Sequence, residues 1–229
     1  MKIRIQPDSV VRWLMLRKGL IAALFIGVLV PLLIFGALAE DILDDESLRF
    51  DNPIQLWARS WQSPALDHWM LTFSAFGSPP LMIGMCVLMS SLLFFLNRRG
   101  DALFFLLSIG GAALLNVIAK NFFGRARPDL WVSIDPRADF SFPSGHAMGT
   151  MAIFAAIVMI VWDHRFRWPS AFACAMVVVG VGLSRVYLGV HYPSDVFCGW
   201  LASFAWVSGL YRIRHARRST VETDRTLSS

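Results

Sequence analysis

The sequence predicts an all-α, polytopic membrane protein, a bundle of six transmembrane helices with short interfacial helices in the first outer loop. Three observations predict it. Of the 229 residues, 56% are hydrophobic and only 16% charged, and the mean hydropathy of +0.55 exceeds that of ordinary soluble domains. Six apolar segments are long enough, or nearly long enough, to cross a bilayer as helices. The basic residues fall between these segments in the alternating way that membrane insertion imposes.

The first segment lies near Leu20 to Ala39, after Lys2, Arg4, Arg12, Arg17 and Lys18. It ends in Ala-Leu-Ala-Glu-Asp, which resembles a signal-peptide cleavage site. The stretch carries a full span of apolar residues, however, so it reads as an uncleaved anchor. The acidic run from Glu40 to Glu46 has no paired-carboxylate or EF-hand spacing and reads as a solvated loop. Next, Ile54, Trp57 and Trp61 recur at helical spacing, as do Leu66, Trp69, Met70 and Phe73 after Ser63-Pro64, a cap followed by a first helical turn. These are the expected interfacial helices, with aromatic faces at headgroup depth. The remaining spans are expected near Pro80 to Leu96, Ala102 to Ala119, Ala147 to Trp162, Pro169 to Tyr187 and Val196 to Tyr211.

With six alternating spans, fourteen of the 21 basic residues fall on one side. Both termini are therefore expected in the cytoplasm, residues 1–19 and 213–229 forming tails, and the end Ser219 to Ser229 reads as disordered. No linker or internal repeat divides the chain, so residues 1–229 read as a single domain. The net charge of +5 is explained by this topology, and nucleic acid is not an expected partner. Cys86, Cys174 and Cys198 lie within apolar runs without metal-type spacing, so neither a disulfide nor a metal site is expected, and no cofactor. His68, His164 and His215 lack polar company and read as interfacial or solvated.

Three polar patches stand at the outer ends of spans, where topology disfavours cations. The first, Lys-Asn-Phe-Phe-Gly-Arg-Ala-Arg-Pro, has Lys120 at the end of span three and Arg127-Pro128 beyond Gly124, a helix breaker that lets two cations converge. The second, Pro-Ser-Gly-His, sets Ser144, Gly145 and His146 at the start of span four, where free backbone N–H groups and the helix dipole favour an anion. Gly145 admits an oxyanion to the backbone, Ser144 offers a hydroxyl, and His146 can deliver a proton. The third ends span five with Ser184-Arg185 and continues to His191 and Asp195. A helical entry to span six sets Asp195 one turn from His191, where it holds one imidazole nitrogen and leaves the other free to attack. Three cations, two histidines, a carboxylate and a helix N-terminus make an inventory for phosphoryl transfer.

The ordered pattern Lys120, Arg127-Pro128, Pro143-Ser144-Gly145-His146, Ser184-Arg185, His191 and Asp195 resembles the type 2 phosphatidic acid phosphatase family of membrane lipid phosphatases, with no departure at these positions. The motifs occupy residues 120 to 195, and the six-span layout extends the likeness over most of the chain. The resemblance implies that His191 is a nucleophile forming a phosphohistidine, that Asp195 orients it, and that His146 is the general acid. It implies that Lys120, Arg127, Ser144, Gly145 and Arg185 bind phosphate without a metal ion. The expected activity is hydrolysis of the terminal phosphate of a lipid entering from the bilayer, on the outer face of a bacterial cell membrane. Undecaprenyl diphosphate is the first expectation. Phosphatidylglycerol phosphate, phosphatidic acid and lipid A are alternatives, and a lipid phosphotransferase or a non-catalytic lipid-phosphate binder would use the same scaffold.

Overall fold

The computed structural model of the chain describes residues 18–43 and 48–227, and every regular element among them is helical. The N-terminal basic cluster up to Arg17 and the acidic residues Asp44 to Glu46 lie outside them. The first rod consists of α1 (Lys18–Leu24), a π-helical turn (Phe25–Leu29) and α2 (Val30–Leu43). The wide turn ends two residues before Pro31, which lacks an N–H and crowds the carbonyl of the turn before it. Two short helices follow, α3 (Asp51–Ser60) and α4 (Pro64–Phe76), then α5 (Pro79–Phe95), α6 (Arg99–Phe123), α7 (Gly145–Ile160), α8 (Arg167–Tyr187) and α9 (Pro193–Leu227).

The caps follow local chemistry. Ser63 accepts a hydrogen bond from the Leu66 N–H at 3.3 Å, with Pro64 in the first turn of α4. Gly124 ends α6 in the left-handed conformation at φ 59°, its N–H returning to the Lys120 carbonyl, as a helix-terminating glycine does.

Among the described residues, four helices are long and apolar enough to span a membrane, Ile21–Leu43, Arg99–Phe123, Arg167–Tyr187 and Pro193–His215, and α4 with α5 forms a pair bent by 46° that gives a fifth where the two are counted as one span. The other expected span, α7, has 16 residues. It is apolar on all sides and packs against α5, α6, α8 and α9, burying Ala147, Met148, Ala152, Ile153 and Ala156 almost completely, so it forms the centre of the bundle. Small residues bring helices close to it: a Cβ on Gly199 of α9 would stand 3.0 Å from the Ser144 carbonyl. The rim, by contrast, exposes large apolar side chains, among them Leu88, Phe95, Phe122 and Phe172. Such a surface belongs in lipid, and the protein is a membrane protein.

Two other features bear on the expectations. The face that α3 buries is polar, Asp51 and Gln55, while Ile54 and Trp57 point outward. The expectation of a disordered end at Ser219 is corrected, because α9 continues to Leu227: once a span has nucleated a helix, each further residue gains an i→i−4 bond at little cost.

Candidate active site

Alternation of direction along the bundle brings four helix termini together: the ends of α6 and α8 and the starts of α7 and α9. The three polar patches of the sequence sit on them, the third covering both the end of α8 and the start of α9. The opposite ends carry Arg98, whose Nε lies 2.6 Å from Asp101, and Arg214, which also binds Asp101 and pins α9 to α6.

At the gathered ends lies a cavity of about 570 Å³, lined by Lys120, Arg127, Gly145, His146, Arg185 and His191. Ser144 and Asp195, neighbours of these lining residues in sequence or in contact, are fully buried. The cavity continues between α5 and α6 along Ile83, Val87, Leu106, Ile109 and Val117. One end is thus cationic and the other greasy, as a phosphate on an apolar chain requires.

His191 sits in the turn between α8 and α9. Its Nδ1 lies 3.4 Å from Asp195 Oδ2 and 3.4 Å from Ser141 Oγ. Its Nε2 lies 3.2 Å from Arg127 Nη1. A guanidinium only donates, so this neighbour matches an Nε2 that carries the lone pair and an Nδ1 that carries the proton. Burial, with Arg127 and Arg185 adding to it and Asp195 opposing, holds the imidazole down at about 4, so it is neutral at pH 7. Asp195 is itself fixed: Oδ2 accepts from Ser141 Oγ and from the Tyr192 N–H at 2.8 Å, and Oδ1 accepts from Arg125 Nη1 at 2.5 Å.

The cations are held by carboxylates of the loop before α7. Asp139 bridges Lys120 and Arg127, the latter at 2.6 Å. Burial alone would raise this carboxyl, but Lys120 and Arg127 outweigh it and hold it well below the usual range. Arg185, wholly buried, binds Asp135 at 2.9 Å and Ser74. Its Nε and Nη2, like Ser144 Oγ and His146 Nε2, are buried without a hydrogen-bond partner among the described residues. Orphaned buried donors of this kind suit a polar ligand. Gly145 opens α7, and a Cβ there would stand 3.0 Å from Asn116 Oδ1. Asn116 in turn donates to the Pro143 carbonyl at 2.9 Å, fixing the Pro-Ser-Gly-His turn against α6.

All eight residues singled out in the sequence therefore belong to one locus. Sequence reasoning missed Asp51, Gln55, Arg125, Ser141, Asp135 and Asp139. Arg125 stands inside the first motif, and Asp51 with Gln55 forms an i,i+4 polar pair on a helix that turns Ile54 and Trp57 outward, a pattern that marks a buried polar face.

The model of the PAP2 superfamily matches residues 101–219. Phosphatidylglycerophosphatase B of Bacillus subtilis (strain 168) is 30% identical over 73% of this chain and 85% of its own length. Undecaprenyl-diphosphatase of Sulfolobus acidocaldarius is 30% identical over 65% of this chain and 70% of its own. Among solved structures, the transmembrane PAP2-type phosphatidylglycerolphosphate phosphatase from Bacillus subtilis is similar with a TM-score of 0.73 at 26% identity, covering 84% of this chain and 96% of that one.

Proposed function

Because the chain belongs to the PAP2 superfamily, with lipid phosphatases among its relatives, we propose that it hydrolyses the terminal phosphate of a lipid phosphate or diphosphate through a phosphohistidine on His191. The observation that carries this reading is the orientation of His191, its Nδ1 toward Asp195 and its Nε2 toward Arg127 and the cavity.

In the first step, Nε2 attacks phosphorus as the bond to the leaving oxygen breaks, and His146 gives that oxygen a proton. The transferred group spreads charge over three equatorial oxygens, which Lys120, Arg127, Arg185, the Ser144 hydroxyl and the first amides of α7 meet. A bound phosphate dianion favours the protonated form of His146. In the second step, a water attacks the phosphohistidine and loses a proton to His146, the P–N bond breaks, and inorganic phosphate leaves with His191 neutral again. Asp195 keeps the proton on Nδ1 throughout and compensates the charge that the ring acquires.

The substrate enters laterally, its apolar chain in the cleft between α5 and α6. The reading includes six crossings, with the bent pair α4 and α5 counted once and the buried α7 as the short one, in a single domain over residues 1–229. It sets the site on the outer face of a bacterial membrane with both termini in the cytoplasm, which the position of Arg98, Arg165, Arg167 and Arg214 at the opposite end supports. On that face undecaprenyl diphosphate is the first expected substrate. Phosphatidylglycerol phosphate is the second, favoured by the likeness to the Bacillus phosphatase.

The test is phosphate release by the detergent-purified protein in excess EDTA from undecaprenyl diphosphate, phosphatidylglycerol phosphate, phosphatidic acid and lipid A, with His191→Ala as control. Release that the variant abolishes is expected, together with an acid-labile phosphoenzyme. No release from any of them refutes the reading, and phosphate recovered on a second lipid in place of water turns it toward a transferase.

A further inference from the structure

The cavity does not account for the most buried charges near it. Asp51, at the start of α3, is wholly buried, 144 positions before Asp195, also wholly buried. Between them lies Arg125. Its Nη2 donates to Asp51 Oδ2 at 2.9 Å, and its Nη1 donates to Asp195 Oδ1 at 2.5 Å and to Ser194 Oγ at 2.8 Å. Asp51 also accepts from the Ser194 N–H at 3.0 Å and from Ser194 Oγ at 2.7 Å. One turn along α3, Gln55 donates to the His191 carbonyl at 2.9 Å. The guanidinium lies over the Tyr192 ring at 4.1 Å. Among the described residues, every side-chain hydrogen bond of Asp51 and Gln55 ends on the five-residue stretch from His191 to Asp195, or on the arginine that binds it.

Burying two carboxylates around one guanidinium is costly unless their lone pairs are satisfied, and here fork geometry and the serine satisfy them. Mere anchorage of a loop needs no charge, since apolar packing of the same volume serves as well. What the ionic arrangement adds is a fixed Asp195: Arg125 claims Oδ1, so Oδ2, steadied by Ser141 and the Tyr192 N–H, is the oxygen turned to His191 Nδ1, and the imidazole is held in a single tautomer. We propose that Asp51 and Arg125 are positioning residues that fix Asp195 and, through it, the tautomer and orientation of His191, with α3 serving as a brace on the nucleophile turn. This rests on the reading of His191 as nucleophile.

The proposal separates Arg125 from the groups that meet phosphate. His191 is faced by Asp195 from α9, Arg127 from the loop, Arg185 from α8 and His146 from α7. Arg125 acts on it only through Asp195. Weakening the Arg125 contact leaves the Asp195 charge less compensated, so the protonated imidazole is favoured. The acid limb of the rate profile then moves to higher pH.

The experiment compares wild type, His191→Ala, Asp51→Asn, Arg125→Lys, Arg125→Ala and the double variant Asp51→Asn/Arg125→Ala, in detergent, on the lipid that wild type hydrolyses. The expected result is a kcat lower by about ten- to a hundred-fold in Arg125→Ala with KM changed less than about two-fold, since geometry and not binding is lost. Arg125→Lys, which keeps the charge but not the fork, should recover part of the loss. Its acid limb should still rise. Asp51→Asn should lower kcat in the wild-type background and change little when Arg125 is already Ala, because it acts through that arginine.

The proposal is overturned if Arg125→Lys and Asp51→Asn keep the wild-type kcat and pH profile while His191→Ala is dead, or if their losses appear in KM alone. An inactive wild type, or an active His191→Ala, removes the nucleophile reading and the brace with it. Failure of Arg125→Ala to fold leaves the decision to Arg125→Lys, whose pH profile a purely structural role does not move.

Discussion

Arg125 and Arg127 stand two residues apart in the segment that leaves α6, and the fold uses them in opposite ways. Arg125 is clamped between Asp51 and Asp195, both fully buried. Arg127 is held by Asp139, whose side chain is 60% exposed, and faces His191 and the cavity. A cation between buried carboxylates cannot leave them without stranding charge, so its role is to fix them. A cation whose partner is solvated can exchange that partner for a phosphate at little cost, since an exposed pair contributes about 0–1 kcal/mol. The lesson is that the partner's burial, more than the arginine, separates a positioning cation from a binding one.

The largest effect is expected from His191→Ala, which should lower turnover by about 10⁴-fold or more and abolish the phosphoenzyme, as trapping with an alkaline quench, which preserves a P–N bond, would register. Arg127→Ala comes next: steady-state kinetics should find kcat/KM reduced about 10³-fold with KM raised, unlike the kcat-only loss expected at Arg125. If both arginines showed the same split between kcat and KM, the distinction would collapse.

Gly145→Val should lower kcat/KM by about 10²-fold, because a side chain between Asn116 and the cavity displaces the anion from the first amides of α7. Its readout is weaker protection by vanadate or phosphate in the same assay. The pH profile tests the electrostatics. With His191 held at about 4, its protonation deactivates the enzyme only as pH falls through about 4, not through the usual 6.5. Phosphoenzyme formation in single turnover at pH 5.5 should therefore stay near its neutral rate, and an acid limb at 6.5 would contradict the burial account of the ring. The smallest effect is that of Asp139→Asn. Removing an exposed competitor from Lys120 and Arg127 should tighten product inhibition by phosphate less than about five-fold. Weaker inhibition would instead make Asp139 a holder of the two cations.

Much of this site was legible in the chain because its chemistry is local to helix ends. The Pro-Ser-Gly-His turn, the glycine after Lys120, and the spacing of His191 and Asp195 each specify a terminus and a functional group within a few residues, and alternation of spans then sets them at one depth. The brace was not legible. Asp51 and Asp195 are joined only when α3 folds onto the start of α9, and hydropathy reads α3 by its tryptophans, which point away from the site. The interior position of α7 was likewise hidden, since a 16-residue apolar run reads the same whether its neighbours are lipids or helices.

A helical, membrane-embedded protein and eight residues of its polar locus were legible in the chain alone, because apolar run length and short motifs act through nearest neighbours along the chain. Folding in three dimensions settled which of two neighbouring arginines meets buried carboxylates and which an exposed one, which carboxylates hold which cations, and which ring nitrogen of His191 faces the cavity. Those outcomes depend on how charges lose water as distant segments close over them, and desolvation is a property of the packed bundle rather than of any stretch of sequence.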